Sequence, residues 1–445
     1  VDKTTPIVTF SNPPGGNYFT NTMGVVTGGV VDPNAGYNGG VTSTANVRIQ
    51  VKYIQGLTTF YYDNGGAFSS SCGNCDETNS WFYPRDAFGT FQPQGQSSGT
   101  WTYDAGDIAT KWVEDRTYVI SARGIDNAKP ANEAPADPKR LFNIVYDKTA
   151  PAVAATGPAD KSPQKTVTVV SGTVTDNYSG VASVTLVLSY LDGPTTYYWN
   201  DGVGPATFTV TYDDVPAVVA APGALSTSWS YDTSAIAQLN DGTILAREFR
   251  VFPYAADRSG NFMVSAATTA FLIDGTKPTG QVTRPVTGAA VFSGNRYYSP
   301  AVLGAENSGN AVDPLRGTAA DAAYPAGYQT ARPSLVQVQV KRSFDDNFWT
   351  GSSWTVNAGT WLTMDGTTTW TWNAPPAVST PSAWNDNQKM IVDVRAVDLV
   401  GNVSAVTSVD FNWDSVPPSA VVAQSTLSYI PTLPVLSGVA DDPRL

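Results

Sequence analysis

The chain repeats one short phrase at four points, and this recurrence constrains the fold more than any other feature of the sequence. In each copy an aspartate is followed four residues later by a proline, in segments 1–6, 146–151, 273–278 and 413–418. A chain in which the same phrase recurs at similar intervals is an array of repeats. Arrays usually space or scaffold other molecules, so we expect a spatial role.

Three further phrases recur between these openings, always in the same order. They are a glycine-to-aspartate phrase (28–32, 172–176, 317–321 and 438–441), a tryptophan phrase (101–104, 229–232, 370–373) and a closing aspartate phrase (123–127, 255–261, 396–402). We therefore predict repeats at residues 1–146, 147–273 and 274–413, and the start of an incomplete fourth at 414–445. The fourth segment supplies about two strands, which cannot bury a core alone. We expect it to be cut short, with strand addition to a neighbouring chain as the alternative.

Composition favours strands and excludes several functions. The 445 residues include 39 glycines and 31 prolines but only 14% charged residues, which is typical of many short strands joined by turns. A net charge of −12 argues against nucleic acid as a partner. The absence of histidine excludes imidazole-based catalytic triads and histidine-ligated metals. No apolar run approaches the roughly 20 residues that cross a bilayer, so we expect no membrane span in this segment.

Alternation of apolar and polar residues predicts half-buried strands before the closing phrases. Tyr118, Ile120 and Ala122 would share one face in repeat 1, and Val392 and Val394 would do so in repeat 3. Helical periodicity is nearly absent. The sequence thus predicts an all-β protein of tandem antiparallel β-sandwiches arranged end to end, with Trp101, Trp229 and Trp370 in the cores.

The recurring phrases carry a family resemblance. The sequence resembles the tandem Ig-like repeats of large extracellular surface and adhesin-type proteins of bacteria, whose units open with Asp-x-Thr-x-Pro and close with Asp-x-x-Gly-Asn. Segments 257–261 and 398–402 match the closing motif, whereas 126–128 departs from it. The resemblance implies a sandwich architecture and a place at the bacterial cell surface, and it implies no particular activity.

The recurring aspartates form the candidate functional residues. In a seven-strand sandwich, the opening of a unit, the loop after its second strand and the loop between its last two strands lie at one pole. This brings together Asp2, Asp32 and Asp126 in repeat 1, Asp147, Asp176, Asp257 and Asn261 in repeat 2, and Asp274, Asp321, Asp398 and Asn402 in repeat 3. Oxygen ligands without histidine or thiol favour Ca²⁺, so we predict one calcium ion per junction. The alternative is that these residues only make turns and cap loops.

Two other features have structural interpretations. We expect Cys72 and Cys75 to form a disulfide that pins a loop insertion of repeat 1, as short cysteine pairs of extracellular proteins do. Aromatic pairs recur at equivalent places, at 61–62, 197–199 and 348–349. We expect each to form a hairpin with one ring inward and its neighbour outward, and stacking on a glycan or contact with a neighbouring chain are the alternatives.

These observations predict a non-enzymatic extracellular structural protein, a repeat scaffold of a bacterial surface fibre, stalk, sheath or surface layer. Its partners would be copies of itself or other surface proteins, and calcium its only cofactor. The alternative is an adhesin or glycan-binding surface protein that uses the loop insertions of repeat 1 (65–99) and repeat 3 (293–328). An enzyme is not expected, because the adjacent acid pairs lie on opposite strand faces or in turns.

Overall fold

The computed structural model describes most of the chain. The described residues are 3–14, 16, 18–35, 41, 46–71, 73, 75–84, 95–133, 141–202, 206–242, 244, 246–264, 267–284, 297–298, 315–329, 333–356, 359–372, 388–413, 419–422 and 437–441. The predicted calcium ligand Asp2 and the predicted disulfide residue Cys72 lie outside the described residues.

Residues 1–146 form two sheets. Their strands are β1 (Ile7–Asn12), β2 (Tyr18–Thr20), β3 (Val26–Ala35), β4 (Val47–Gln55), β5 (Thr58–Tyr62), β6 (Phe68–Ser69), β7 (Gly95–Tyr103), β8 (Arg116–Gly124) and β9 (Leu141–Tyr146), with a 3₁₀ helix at Ala105–Thr110. One sheet has the order β1-β3-β7 and the other β2-β9-β8-β4-β5-β6. Only β2 and β9 pair in parallel among these strands. The two sheets enclose one apolar cluster that includes Ile49, Trp101 and Ile120.

Residues 147–274 repeat this arrangement. Their elements are β10 (Ala152–Gly157), β11 (Ser162–Gln164), β12 (Val169–Thr175), β13 (Val181–Asp192), β14 (Thr195–Asn200), β15 (Thr207–Thr209), β16 (Val215–Pro216), β17 (Val218–Val219), β18 (Ser226–Asp232), α1 (Ala237–Asn240), β19 (Ala246–Asp257), β20 (Phe262–Val264) and β21 (Thr269–Asp274). The sheets are β10-β12-β18-β17 and β11-β21-β19-β13-β14-β15, with β16 on β13 and β20 on β19.

The third range follows the same plan. Its strands are β22 (Thr279–Arg284), β23 (Tyr297–Tyr298), β24 (Arg316–Ala320), β25 (Leu335–Arg342), β26 (Phe348–Trp349), β27 (Trp354–Thr355), β28 (Leu362–Thr363), β29 (Thr369–Thr371), β30 (Gln388–Val397) and β31 (Thr407–Trp413). They form the sheets β22-β24-β29 and β23-β31-β30-β25-β26-β27, with β28 on β25. Beyond them, β32 (Ser419–Val422) and β33 (Gly438–Asp441) pair with each other.

The chain divides into two compact units that do not follow the predicted repeat boundaries. The first comprises Val1–Asp160, Val169–Thr233 and Phe249–Ala270, and the second Lys161–Thr168, Ser234–Glu248 and Phe271–Leu445. The second predicted repeat therefore contributes to both. Its Glu248 bonds both Lys161 (2.8 Å) and Tyr328 (3.0 Å) within the second unit. The repeat boundaries themselves stay a prediction.

A glycine opposite a tryptophan lies at the centre of each sandwich. Trp101, Trp229 and Trp370 are at most 1% exposed, which confirms the prediction that they are core residues. Their register partners are Gly28, Gly172 and Gly317. A Cβ at any of these glycines would lie 2.3–2.6 Å from the indole. The recurrent glycine thus makes room for the recurrent tryptophan.

The all-β prediction and the predicted alternation are confirmed. Tyr118, Ile120 and Ala122 are buried on β8, as are Val392 and Val394 on β30. Their neighbours on each strand are less buried, except for the buried Ser121 of β8. Sheets that bury one face against another produce the Ig-like sandwich class.

The loop insertion of repeat 1 covers the predicted hairpin there. Tyr62 belongs to the apolar core and Tyr61 lies on the outer face, in line with the prediction, but both rings are buried. The cause is Glu77 of the insertion, which accepts hydrogen bonds from Tyr61 (2.8 Å) and Lys52 (2.6 Å) and covers the outer face of the sheet. In repeat 3, by contrast, Trp349 is buried and Phe348 is half-buried. Cys75, at the start of this loop segment, is disulfide-bonded, and the chain holds one other cysteine.

Candidate metal centres at the openings of repeats 2 and 3

Three sequence-remote carboxylates meet at the opening of repeat 2. Asp147 follows β9, Asp176 follows β12 and Asp257 ends β19, and one oxygen of each lies within 4.8 Å of the others. Asp147 and Asp257 are buried, and Asp176 is half-buried. We call this group the Asp147 cluster. The sequence prediction named all three residues, and the sandwich topology brings them together.

An equivalent group lies at the opening of repeat 3. Asp274 ends β21, Asp321 follows β24 and Asp398 follows β30, again with one oxygen of each within 4.8 Å of the others. The burial pattern is the same as in repeat 2. We call this group the Asp274 cluster. Its recurrence at the same three places shows that the geometry belongs to the repeat.

Backbone amides of the motif residues hold the opening aspartates. Thr149 N donates to Asp147 Oδ1 (3.0 Å), and Thr276 N donates to Asp274 Oδ1 (2.8 Å). This is an Asx turn, in which the backbone amide two residues after the aspartate is the donor. The other oxygen differs between the repeats. Asp147 Oδ2 accepts from Ser179 N (3.0 Å), and Asp274 Oδ2 accepts from the Tyr324 hydroxyl (2.6 Å).

The closing asparagines tie the closing loop to the opening of the same repeat. Asn261 Nδ2 donates to Asp257 Oδ2 (2.7 Å) and to the Asp147 carbonyl (2.9 Å). Asn402 Nδ2 donates to Asp398 Oδ2 (2.8 Å) and to the Asp274 carbonyl (2.9 Å). Their side-chain amides therefore act as hydrogen-bond donors inside the clusters. The turn-forming hydrogen bonds that the sequence offered as the alternative are therefore present, and the carboxylates converge as well.

Each cluster contains one buried carboxylate oxygen that accepts no hydrogen bond from the described residues, namely Asp176 Oδ1 and Asp321 Oδ2. The two residues occupy equivalent positions. Within the part of the chain that the structure describes, no lysine or arginine forms a salt bridge with any of the six aspartates. At about 4.8 Å and an effective dielectric near 20, each charged pair costs about 3 kcal/mol. The clusters are therefore sites of uncompensated negative charge.

This environment raises the pKa of one aspartate in each cluster. Burial is the main cause of the raised pKa of Asp257, and the charges of Asp147 and Asp176 add to it. Burial likewise raises the pKa of Asp321, with contributions from Asp274 and Asp398. A raised carboxyl pKa means that the folded state binds the proton more tightly than the unfolded state. This contribution to stability is present below the ordinary pKa near 3.8 and is lost as pH rises through the raised value.

The pH dependence gives a first prediction. In metal-free buffer at pH 7, Asp321→Asn melts at a higher temperature than the wild type, because the substitution removes one repelling charge. The difference in melting temperature shrinks as pH falls through the raised pKa of the wild-type carboxyl, because the carboxyl then takes up a proton. Differential scanning calorimetry of both proteins across this range measures it. A difference that stays constant with pH contradicts the charge argument.

The predicted site of repeat 1 is only partly described. Asp32 and Asp126 are buried, and Asp2 lies outside the described residues. Asp126 accepts hydrogen bonds from Asn132 N (2.7 Å) and Asn132 Nδ2 (2.7 Å). Asn132 thus bonds the closing aspartate of its repeat, as Asn261 and Asn402 do in theirs. Sequence reasoning missed it because it lies six residues after the aspartate, whereas the motif spacing is four.

Two further acids were missed at the opening of repeat 2. Glu114 and Asp115, which precede β8, each place an oxygen within 4.8 Å of Asp147. Asp115 Oδ1 accepts from Asn177 Nδ2 (3.0 Å), and Glu114 Oε1 accepts from the Thr149 hydroxyl (3.0 Å). They have no counterpart among the recurring phrases, so the repeat pattern offered no signal for them.

Comparison with known proteins assigns no family to the chain. No protein-family model matches the chain, and no curated protein matches its sequence. Among solved structures, the fibronectin(III)-like modules of Clostridium thermocellum CbhA share 15% identity, cover 59% of this chain and 94% of that chain, and have a TM-score of 0.22. The N-terminal four Ig domains of Dscam1 isoform 6.44 share 10% identity, cover 95% of this chain and 81% of that chain, and have a TM-score of 0.24. None of the described helices has the length and apolar character needed to cross a bilayer.

Proposed function

We propose that the chain is a non-enzymatic extracellular structural protein, a repeat scaffold of a bacterial surface fibre, stalk, sheath or surface layer, in which Ca²⁺ stiffens the openings of successive repeats. The observation that carries the proposal is the pair of equivalent aspartate clusters, each of which joins three remote segments of a sandwich and forms no salt bridge with a lysine or arginine of the described residues. A hard divalent cation with a preference for oxygen ligands would relieve the repulsion.

The positions of the clusters support a mechanical role. Glu114 and Asp115 belong to repeat 1, yet they approach Asp147 at the opening of repeat 2. A cation held there would engage acids from both repeats. At the next opening, Lys165 of repeat 2 donates to the Gly401 carbonyl in the closing loop of repeat 3 (3.2 Å). Such contacts limit rotation about the linker, and the proline that follows each opening aspartate limits it further by fixing φ.

Calcium-dependent unfolding tests the proposal. At pH 7, Ca²⁺ raises the melting temperature of the full chain, because a ligand that binds only the folded state stabilises it by about 2.7 kcal/mol at 100 times its Kd. Asp176→Asn and Asp321→Asn each remove part of the increase. The matched control is Asp346→Asn, which changes an exposed carboxylate of repeat 3 whose partner is Lys341. Calorimetry with and without EDTA measures the shifts.

Two outcomes would overturn the calcium part of the proposal. One is an identical melting temperature and small-angle scattering profile with and without Ca²⁺. The other is an equal loss of the calcium response in Asp346→Asn. The scaffold part has a separate test, which is electron microscopy of the native assembly. Filaments or lattices are expected, and dispersed single molecules would contradict a structural polymer.

The adhesin alternative places glycan binding in the loop insertions. In repeat 1 the insertion is packed onto its own sheet, since Gln50 Nε2 donates to Ser80 Oγ (2.8 Å) and Arg123 lies 4.5 Å from the Trp81 ring centroid. Trp81, one of the aromatic residues of that loop, is only 8% exposed. The scaffold therefore remains our proposal, and most of the repeat 3 insertion (293–328) lies outside the described residues.

A further inference from the structure

One position in the larger of the two sheets of each repeat, the sheet that contains β8, β19 or β30, carries a different type of residue in repeat 2. Three residues before each closing aspartate stand Arg123 on β8, Tyr254 on β19 and Arg395 on β30. The residues on either side of each one are buried. Because strand side chains alternate between faces, these three point to the outer face of the sheet. Their cross-strand partners on the neighbouring central strand are Arg48, Thr185 and Gln337.

In repeats 1 and 3 this position carries an arginine stacked on a tryptophan. The Arg123 guanidinium lies 4.5 Å from the centroid of the Trp81 ring, and that of Arg395 lies 4.1 Å from the centroid of Trp361. Both are cation–π contacts. The two repeats therefore build the same pair on the outer face, although the tryptophans come from different loops.

In repeat 2 this position carries Tyr254, and further aromatic rings lie next to it on the same face, while the exposed Arg250 lies four residues earlier on that face of β19. Tyr198 and Tyr212 pack edge to face with centroids 5.3 Å apart, Tyr212 donates to the Tyr254 hydroxyl (3.1 Å), and Tyr254 stacks on Phe262 at 5.9 Å. We call these four residues the repeat-2 aromatic face. Tyr212 is 55% exposed and Phe262 is 60% exposed. Among the described residues, no lysine or arginine lies over any of the four rings.

Negative charge borders this face. Asp213 and Asp214 follow Tyr212 directly, and Asp214 is exposed. Burial, the hydrogen bond with Tyr254 and the nearby charge of Asp214 raise the pKa of Tyr212, so its hydroxyl stays neutral. The net charge of the whole chain is −12. An exposed aromatic surface beside carboxylates complements a cation, and arginine suits it because its planar guanidinium both stacks on rings and bonds carboxylates.

We propose that the repeat-2 aromatic face binds an arginine side chain of a partner polypeptide, which stacks on the exposed rings and pairs with Asp214. The partner would supply from outside the cation that repeats 1 and 3 provide from their own strands. This interaction is independent of the aspartate clusters and goes beyond the scaffold role.

Calorimetric titration with a defined peptide tests the proposal. The probe is the acetylated and amidated hexapeptide Gly-Arg-Gly-Ser-Arg-Gly, and its control replaces both arginines with citrulline, which has the same shape without the charge. We expect the arginine peptide to bind the full chain roughly fivefold more tightly than the citrulline peptide, in line with a cation–π contact at an exposed site. Raising the salt concentration weakens the binding of the arginine peptide and leaves the binding of the citrulline peptide unchanged.

Two variants and a matched control locate the binding. Tyr212→Ala removes a ring, and Tyr254→Arg places in repeat 2 the residue type that the other two repeats carry. Each is expected to weaken arginine-peptide binding about fivefold. Leu57→Ala, which changes a fully exposed apolar residue of repeat 1, leaves it unchanged. Unchanged melting temperatures show that the variants fold.

Three results would overturn the proposal. They are absence of arginine-peptide binding, equal binding of the citrulline peptide, and full binding by Tyr254→Arg. If the arginine peptide does not bind but cellohexaose does, and Tyr212→Ala abolishes that binding, the face is a glycan platform.

Discussion

Replacing Gly28 by alanine destabilises repeat 1 by about 3 kcal/mol or more, which is at the upper end for overpacking a core. The new Cβ would lie 2.0 Å from the Thr9 carbonyl oxygen and 2.3 Å from Cζ2 of Trp101. Neither can move easily, because Thr9 belongs to the paired strand β1 and Trp101 is 1% exposed. Calorimetry of the full chain should show one transition shifted to lower temperature while the others stay in place.

The neighbouring glycine is a matched control for this prediction. At Gly29 the nearest atom to a new Cβ is the Thr9 hydroxyl at 3.0 Å, a side-chain group on the sheet surface. Gly29→Ala should therefore cost less than about 1 kcal/mol, since alanine also lowers the entropy of the unfolded chain. Equal destabilisation by the two substitutions would mean that strand propensity, and not the contact with Trp101, explains the recurrent glycine.

Most of the fold, and the convergence of aspartates at two of the three predicted sites, could be predicted from the repeated phrases. Gly172 and Trp229 recur at the same places as Gly28 and Trp101. A glycine and a tryptophan that recur together indicate that the two residues pack against each other in each repeat. The aspartates were found in the same way. Asp147, Asp176 and Asp257 are far apart in the chain, but a sandwich returns its strands to the same pole, so topology alone placed them together.

What the sequence did not show depends on contacts outside the repeated phrases. Tyr324 bonds Asp274 through its side-chain hydroxyl, whereas Ser179 at the same place in repeat 2 bonds Asp147 through its backbone amide, and Asn132 replaces a motif asparagine at a different spacing. Glu77 covers Tyr61 only because the loop insertion folds back onto the sheet. Tyr254 and Arg395 stand immediately before the closing phrases 255–261 and 396–402, so the contrast between Tyr254 and the arginines formed no part of the recurring pattern. Its meaning required the positions of Trp81 and Trp361, which no periodic pattern gives.

Asn402→Ala should destabilise repeat 3 by about 3 kcal/mol, because it leaves buried acceptors of a charged cluster without their donor. Asn402 is 5% exposed, and its Nδ2 donates to Asp398 Oδ2 and to the carbonyls of Asp274 and Thr276. The alanine variant removes all three bonds while the three carboxylates still repel one another. The same argument applies to Asn261 in repeat 2. Chemical denaturation followed by tryptophan fluorescence measures the loss.

Asn347→Ala separates the effect of the cluster from that of any asparagine–aspartate pair. Asn347 Nδ2 donates to Asp345 Oδ2 (2.8 Å) in the same repeat, but Asp345 keeps Arg342 as a second partner (2.6 Å). Its loss should therefore cost about 1 kcal/mol. If Asn402→Ala costs no more than Asn347→Ala, the closing asparagine does not hold the opening aspartate in place. The recurrence of Asp-x-x-Gly-Asn would then reflect only the local turn, and the link between the two ends of each repeat would have to come from the strands.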